Sequence, residues 1–140
     1  WHGNEPSHQI AFLYNYSGQP WKTQKIVSKV LKEEYGIGSG GLSGNDDAGQ
    51  MSAWYVWAAI GLYPVSPVSG EYQISGPKFK RVTITLENHK QIKFSATKYS
   101  SENIFIHGIH YNRKKYDAYS VTHKDLLKGG AWKFELSGKP

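Results

Sequence analysis

The 140 residues contain no cysteine and only one methionine. Without thiols, disulfide staples, thiolate zinc sites and cysteine nucleophiles are excluded, and the absence fits any compartment. No apolar run approaches the ~18 residues of a membrane span. The most apolar stretch, Met51 to Leu62, is too short. The N-terminus lacks a signal-peptide pattern. There is no GxSxG nucleophile elbow, no Walker loop, and no GxGxxG following a strand. The glycines between Gly36 and Gly44 follow a helical pattern, which argues against nucleotide phosphate binding.

Acidic residues are scarce in one half only. Residues 1–69 carry four Lys against five acids, whereas residues 70–140 carry thirteen Lys and Arg against six. The excess is mostly lysine spread along strand-like segments (Lys78, Lys80, Lys90, Lys93, Lys98), with one dense cluster at Arg113-Lys114-Lys115 beside a turn. A nucleic-acid surface clusters Arg with exposed aromatics. The spread pattern reads as a solvated lysine face, and no nucleic-acid partner is expected.

What is present is a core. With 39% hydrophobic and 14% aromatic residues, the chain can bury a real interior and is not disordered over most of its length. Its size allows one domain, or a domain and a half. A multi-domain enzyme with its whole active site does not fit. Because the first residue is Trp1 rather than Met, the chain is expected to be cut from something longer.

The periodicity changes near Pro64–Gly70. Before that boundary it is helical. Ile10, Phe12, Leu13, Tyr14 and Tyr16 predict a short helix that stops at Gly18. Pro20 suits the first turn of a second helix, with Ile26, Val27, Val30, Leu31 and Tyr35 on one face and Gly36 as its stop. A third helix is predicted from about Ala48 to Leu62, apolar nearly all round and so buried on most sides. Three helices cannot hide it, so partner helices are expected.

After the boundary the period is two: Tyr72/Ile74, Val82/Ile84/Leu86, Ile92/Phe94/Ala96 and Trp132/Phe134/Leu136. Asn88-His89 predicts a hairpin turn. Residues 104–111 read as a further strand with a bulge at Gly108. Thr122-His123-Lys124-Asp125 reads as a capping box opening one helical turn that ends at Gly129. The fold class is therefore α+β: helices over 1–64, then an antiparallel, two-layered β-rich region over 65–140.

Two polar loops precede apolar helices, Trp1–His8 and Gly40–Gln50. Asp47 with Gln50 three residues on reads as a helix-capping box. That leaves Asn45, Asp46 and the five glycines at 36, 38, 40, 41 and 44 unexplained. Glycine lets backbone approach a ligand closely, so a ligand-binding reading stands beside the capping one. Asn4-Glu5 is open in the same way: it could cap a first helix opened by Pro6, or offer oxygens to Ca²⁺, which takes about 6–8 of them. No EF-hand spacing is present, so calcium would be held across separate loops. His2 and His8 could be satisfied packing residues, sugar contacts or acid/base groups. His89, His107, His110 and His123 share no spacing and read as structural or solvated. Acid/base work by separated carboxylates survives elimination. Glycoside hydrolysis is its commonest form, and Trp1, Trp21 and Tyr14 suit a sugar site.

Three blocks then resemble one family. They are Trp-His-Gly-Asn-Glu-Pro-Ser-His at 1–8, Tyr14-Asn15-Tyr16 with Gly18–Gln24, and Gly44-Asn45-Asp46-Asp47-Ala48-Gly49-Gln50-Met51-Ser52-Ala53-Trp54-Tyr55-Val56. All three are similar to glycoside hydrolase family 92, the calcium-dependent exo-acting α-mannosidases. Gly70-Glu71-Tyr72 and the Thr122-His123 segment also look like its C-terminal part. The resemblance implies an enzyme with an N-terminal β-sandwich and an (α/α)6 barrel. Such an enzyme removes terminal mannose, with α-1,2 linkage favoured, from N-glycans or mannans with inversion. On this reading residues 1–64 are the last barrel helices and 65–140 a β-rich tail.

The resemblance further implies that Asp47 is the general base. Asn45 stands where one common version of the motif has a second carboxylate; it can hydrogen-bond the water but cannot take its proton. Asn4 and Glu5 are implied to approach calcium, and His2, His8 and Asp46 the sugar. No residue matches the motif that carries the general acid, and Glu33 and Glu34 read as surface charges. The segment alone is therefore expected to be inactive, with mannose-containing glycans and the remainder of the parent enzyme as partners. The parent is expected to be secreted, periplasmic or on the cell surface. A non-catalytic carbohydrate-binding module and a purely structural tail remain the alternatives.

Overall fold

The computed structural model describes residues 1–140. Single 3₁₀ turns at Glu5–Ser7 and Ile10–Phe12 lead into α1 (Leu13–Tyr16), α2 (Pro20–Glu33) and α3 (Gln50–Ile60). Strand β1 (Leu62–Tyr63) follows, then a 3₁₀ turn at Pro67–Ser69 and β2 (Glu71–Ile74), β3 (Arg81–Thr85), β4 (Gln91–Thr97), β5 (Phe105–Tyr111) and β6 (Lys114–Lys115). The chain closes with β7 (Ser120–Thr122), α4 (His123–Leu126) and β8 (Gly130–Ser137).

Proline opens α2 because the N–H it lacks would have no partner in the first turn. Its buried stripe is Thr23, Gln24, Val27 and Leu31, so the apolar face extends into polar residues. Gln24 explains why. Its Oε1 accepts from the Ile106 amide at 3.0 Å, tying α2 to β5. A second tie is Asn15, whose Nδ2 donates to the Ile74 and Tyr119 carbonyls at 3.0 and 3.1 Å.

Helix α3 starts later and ends sooner than its hydrophobicity predicts. It ends at Gly61, whose φ of 100° no other residue adopts cheaply, and whose amide closes onto the Trp57 and Ala58 carbonyls. Leu62 has already entered β1. Met51, Trp54, Ala58 and Ala59 are buried, whereas Ala53 and Val56 are exposed, as are Ile10, Leu13, Trp21 and Ile37 elsewhere.

The β region holds two sheets. One is antiparallel, in the order β1-β2-β7. The other runs β3-β4-β8-β5-β6. Here the expectation of a purely antiparallel region is corrected: β8 pairs with β4 in parallel, Phe94 opposite Trp132 and Ala96 opposite Phe134, while pairing antiparallel with β5. Parallel neighbours need a long crossover, and residues 98–129 supply it. Period-two patterning identifies strands but carries no information on the direction of a neighbour. The bulge near Gly108 is present: Ile106 faces Leu136 and Gly108 faces Glu135, leaving His107 as the extra residue. Thr122 caps α4, its hydroxyl accepting from the Asp125 amide at 3.1 Å.

Two apolar clusters result. The larger gathers Ile74, Ile92, Phe94, Ile109, Trp132, Phe134 and others between the sheets. The smaller joins Phe12, Val27, Leu31, Trp54, Ala58 and Tyr63 among the helices. Trp57 leans on both.

Candidate active site

The two polar loops come together at the start of α3. They cross where Gly3 meets Gly44: a Cβ on Gly44 would collide with the Gly3 backbone, and one on Gly3 would lie 2.8 Å from the Ser43 carbonyl oxygen. Similarly, a Cβ on Gly41 would lie 2.6 Å from the Gly36 oxygen. Those glycines therefore serve the approach of backbone to backbone, not of backbone to ligand.

The capping reading of Asp47 is overturned. The residue before α3 is Gly49 (φ 96°), with no side-chain cap. Asp47 and Ala48 precede it with φ of 48° and 57°, so three successive residues are left-handed. For Asp and Ala this conformation costs roughly 1–2 kcal/mol each. It is offset by the first turn of the helix: the Asp46 and Asp47 carbonyls accept from the Met51 and Gln50 amides, and Asp46 Oδ1 accepts from both the Ser52 amide and hydroxyl at 2.9 Å. Asp46 is thus the capping carboxylate. Asp47 is exposed and turned toward Glu5.

The Glu5 and Asp47 carboxyl groups face each other closely enough that one proton would be shared between them. A hydrogen bond from Asp47 through that proton holds Glu5 below the usual carboxylate range. Asp47 is pushed above it, first by that bond to Glu5 and then by desolvation and the charges of Glu5 and Asp46. Asn4 occupies the N-cap position of the Glu5–Ser7 turn but makes no side-chain cap, leaving its amide free. Asn45 is exposed beside Asp46.

His2 and His8 lie beneath, both buried. His2 Nε2 donates to the Tyr35 hydroxyl at 2.7 Å, and Tyr35 donates to the Met51 carbonyl at 3.1 Å. His8 Nε2 donates to the His2 carbonyl at 3.1 Å, its Nδ1 accepts from Gln50 Nε2 at 3.1 Å, and its carbonyl accepts from Trp54 Nε1 at 2.9 Å. Burial, and next the neighbouring His8, lower the His2 pKa to about 4, so it is neutral at pH 7. Both nitrogens of His8 are engaged. As placed, the two rings form a floor under the loops instead of facing solvent. Tyr35, Gln50 and Trp54 were not foreseen as site residues. By spacing Tyr35 reads as one more apolar position of the second helix, although α2 ends at Glu33 and Tyr35 instead bridges to Leu42; Trp54 reads as core, and no spacing signals a hydrogen bond between distant segments.

The oxygens of Asn4, Glu5 and Asp47 suit a hard cation in kind. They fall short in number, since no three His, Asp or Glu side chains converge anywhere in the chain. No helix is long and apolar enough to cross a membrane.

Comparison with known proteins places this arrangement in context. The model of the glycosyl hydrolase family 92 catalytic domain matches residues 1–138. An uncharacterized secreted glycosidase of Arthroderma benhamiae is 32% identical over 96% of the chain, which spans 18% of that protein. A family 92 α-mannosidase of Bacteroides thetaiotaomicron, solved in complex with mannoimidazole, superposes with a TM-score of 0.96 at 44% identity. That match covers all of this chain and 18% of the other. An inverting mannosidase of the same family and organism gives 0.93 at 39% identity, covering 99% of this chain and 19% of its own. The chain thus spans under a fifth of the length of each of these three relatives.

Proposed function

The chain belongs to glycoside hydrolase family 92, and from that premise we propose that it supplies the general-base side of an inverting exo-α-mannosidase active site. The substrate is terminal mannose, α-1,2-linked, on N-glycans or mannans. Residues 1–64 are the closing helices of an (α/α)6 barrel, and 65–140 are the β-rich region that follows them. The observation that carries the reading is the pair of carboxyls on two crossing loops, Glu5 half-buried and Asp47 exposed, with Asp47 relieved of any capping duty by Asp46.

In this mechanism Asp47 takes the proton of a water as that water attacks C1 of the sugar. Asn45 orients the water through its amide. Inversion requires an acid about 6.5–9.5 Å from the base. Glu33 pairs with Lys29 on the surface of α2 and does not serve; the acid comes from the remainder of the enzyme. Asn4 and Glu5 would hold calcium, which when bound would polarise sugar hydroxyls. Asp46 keeps Oδ2 for the sugar, while His2 and His8 act from below. The secreted relative supports a parent that is secreted, periplasmic or on the cell surface.

The test is Asp47→Asn in the complete enzyme, assayed on α-1,2-linked mannobiose. Asn tolerates the left-handed backbone, so the fold is retained while mannose release falls by about 10²–10⁴-fold. A rate within a few-fold of the parent would sink the assignment. The 140-residue chain alone, with Ca²⁺, releases no mannose; steady release would show that it contains its own acid.

A further inference from the structure

We infer that Tyr35 is a positioning residue: its hydroxyl fixes the loop carrying Glu5 against the turn carrying Asp47. The inference rests on the reading of Asp47 as the base. Apart from each other, the Glu5 and Asp47 carboxyls are held only by the Glu5 amide, so their spacing is inherited from the backbone beneath them.

That backbone is held by a ring of hydrogen bonds, and Tyr35 is the member that closes it. Tyr35 has a single hydroxyl proton, and it goes to the Met51 carbonyl. The partner on its oxygen must therefore be a donor, which makes His2 the Nε2–H tautomer. The His2 carbonyl in turn accepts from His8 Nε2, leaving His8 Nδ1 as the acceptor for Gln50. One hydroxyl so decides the tautomer of His2 and closes a ring through residues 35, 2, 8, 50 and 51. His2 stands shortly before Glu5, and Gln50 and Met51 shortly after Asp47, so the ring spans both loops.

Tyr35 itself cannot swing away. Its ring lies parallel to that of Trp54 (centroids 5.8 Å apart, 2° between planes) and 5.0 Å from that of Tyr55. Replacing it with Phe keeps the rings and deletes one oxygen. The His2 N–H and the Met51 carbonyl lose that partner, and the ring opens, leaving the His8–Gln50 and Trp54–His8 bonds to hold the two loops. A displacement of about 1 Å between base and substrate can cost on the order of 10²-fold in rate.

The experiment compares Tyr35→Phe, Tyr55→Phe and Asp47→Asn in the complete enzyme, well below the melting temperature. Tyr55→Phe is the packing control; it loses a hydrogen bond from Lys78 remote from the loops. The expected result is a fall in kcat of about tenfold or more for Tyr35→Phe with KM within about threefold, and kcat within about twofold for Tyr55→Phe. Should Tyr35→Phe keep its kcat while Asp47→Asn is inactive, the positioning role falls and the base stands. If Asp47→Asn is active, the base assignment falls. Hydrogen exchange of segments 1–8 and 44–51 then decides for Tyr35: exchange about tenfold faster in both for Tyr35→Phe supports the anchor, and unchanged exchange overturns it.

Discussion

The helical region and the sheet region bury their side chains in different ways. In the sheet region the clustered interior is hydrocarbon and aromatic, from Ile74 to Leu136, with Gln73 and Ser75 as its buried polar residues, and the neighbours are set by strand register. Among the helices the interior is mixed. His2, His8, Thr23 and Gln24 are buried alongside Phe12, Val27 and Trp54, and hydrogen bonds fix which loop meets which. An apolar core tolerates exchange of one hydrocarbon for another. A buried polar ring does not, because each broken bond leaves an unsatisfied group costing about 1–3 kcal/mol. The two polar loops sit over the second kind of interior, where hydrogen bonds specify a geometry, while the first kind provides stability.

That contrast can be broken most strongly in the sheets. Phe134 is 1% exposed at the centre of the larger cluster. Phe134→Ala is expected to destabilise by about 3–5 kcal/mol, measured as a shift in urea midpoint at constant slope; a loss below 1 kcal/mol would mean that the sheet core is not the main source of stability.

Acid should act on the helical region instead. The unfolded chain protonates His2 near 6.5, whereas the folded chain does so only at about 4. The unfolded state binds more protons between those values, so stability is full above the upper one and declines as pH falls toward the lower. The loss runs at up to about 1.4 kcal/mol per pH unit. Urea titrations at several pH values should show a shallower decline for His2→Gln than for the parent; equal slopes would refute the assignment.

The loop crossing gives a smaller effect. Gly44→Ala pushes a methyl into the Gly3 backbone, and the overpacking is expected to cost about 1–3 kcal/mol in stability. If its melting temperature is unchanged, the two loops do not touch as described. Smallest is the cap. Asp46→Ala removes the bonds to Ser52 and should cost about 1 kcal/mol. Asp47→Ala loses no cap, so denaturation of the pair separates the two neighbouring acids; equal losses would restore Asp47 as a cap.

Much of this was legible in the residues. The strands, the Thr122 cap and the opening of α2 at Pro20 follow from periodicity and local chemistry. So does an α3 that is apolar all round and leaves Val56 exposed on this chain. Local rules erred where two segments compete for one role. Asp47 satisfies the spacing of a cap, but Asp46 reaches Ser52 first, and the chain turns left-handed to let it. The glycines of the second loop were legible as close approaches but not as approaches to Gly3 and Gly36.

The sequence by itself determined the family, the order of helices before strands, and the residue types gathered in the two loops. Those depend on spacing along one chain, which a sequence displays directly. Only the tertiary structure decided that β8 runs parallel to β4, that Asp47 faces Glu5, and that Tyr35 joins His2 to Met51. Each of these couples residues far apart in the chain. Their pairing is set by which buried polar groups can be satisfied together, a condition that exists only once the chain has closed around them.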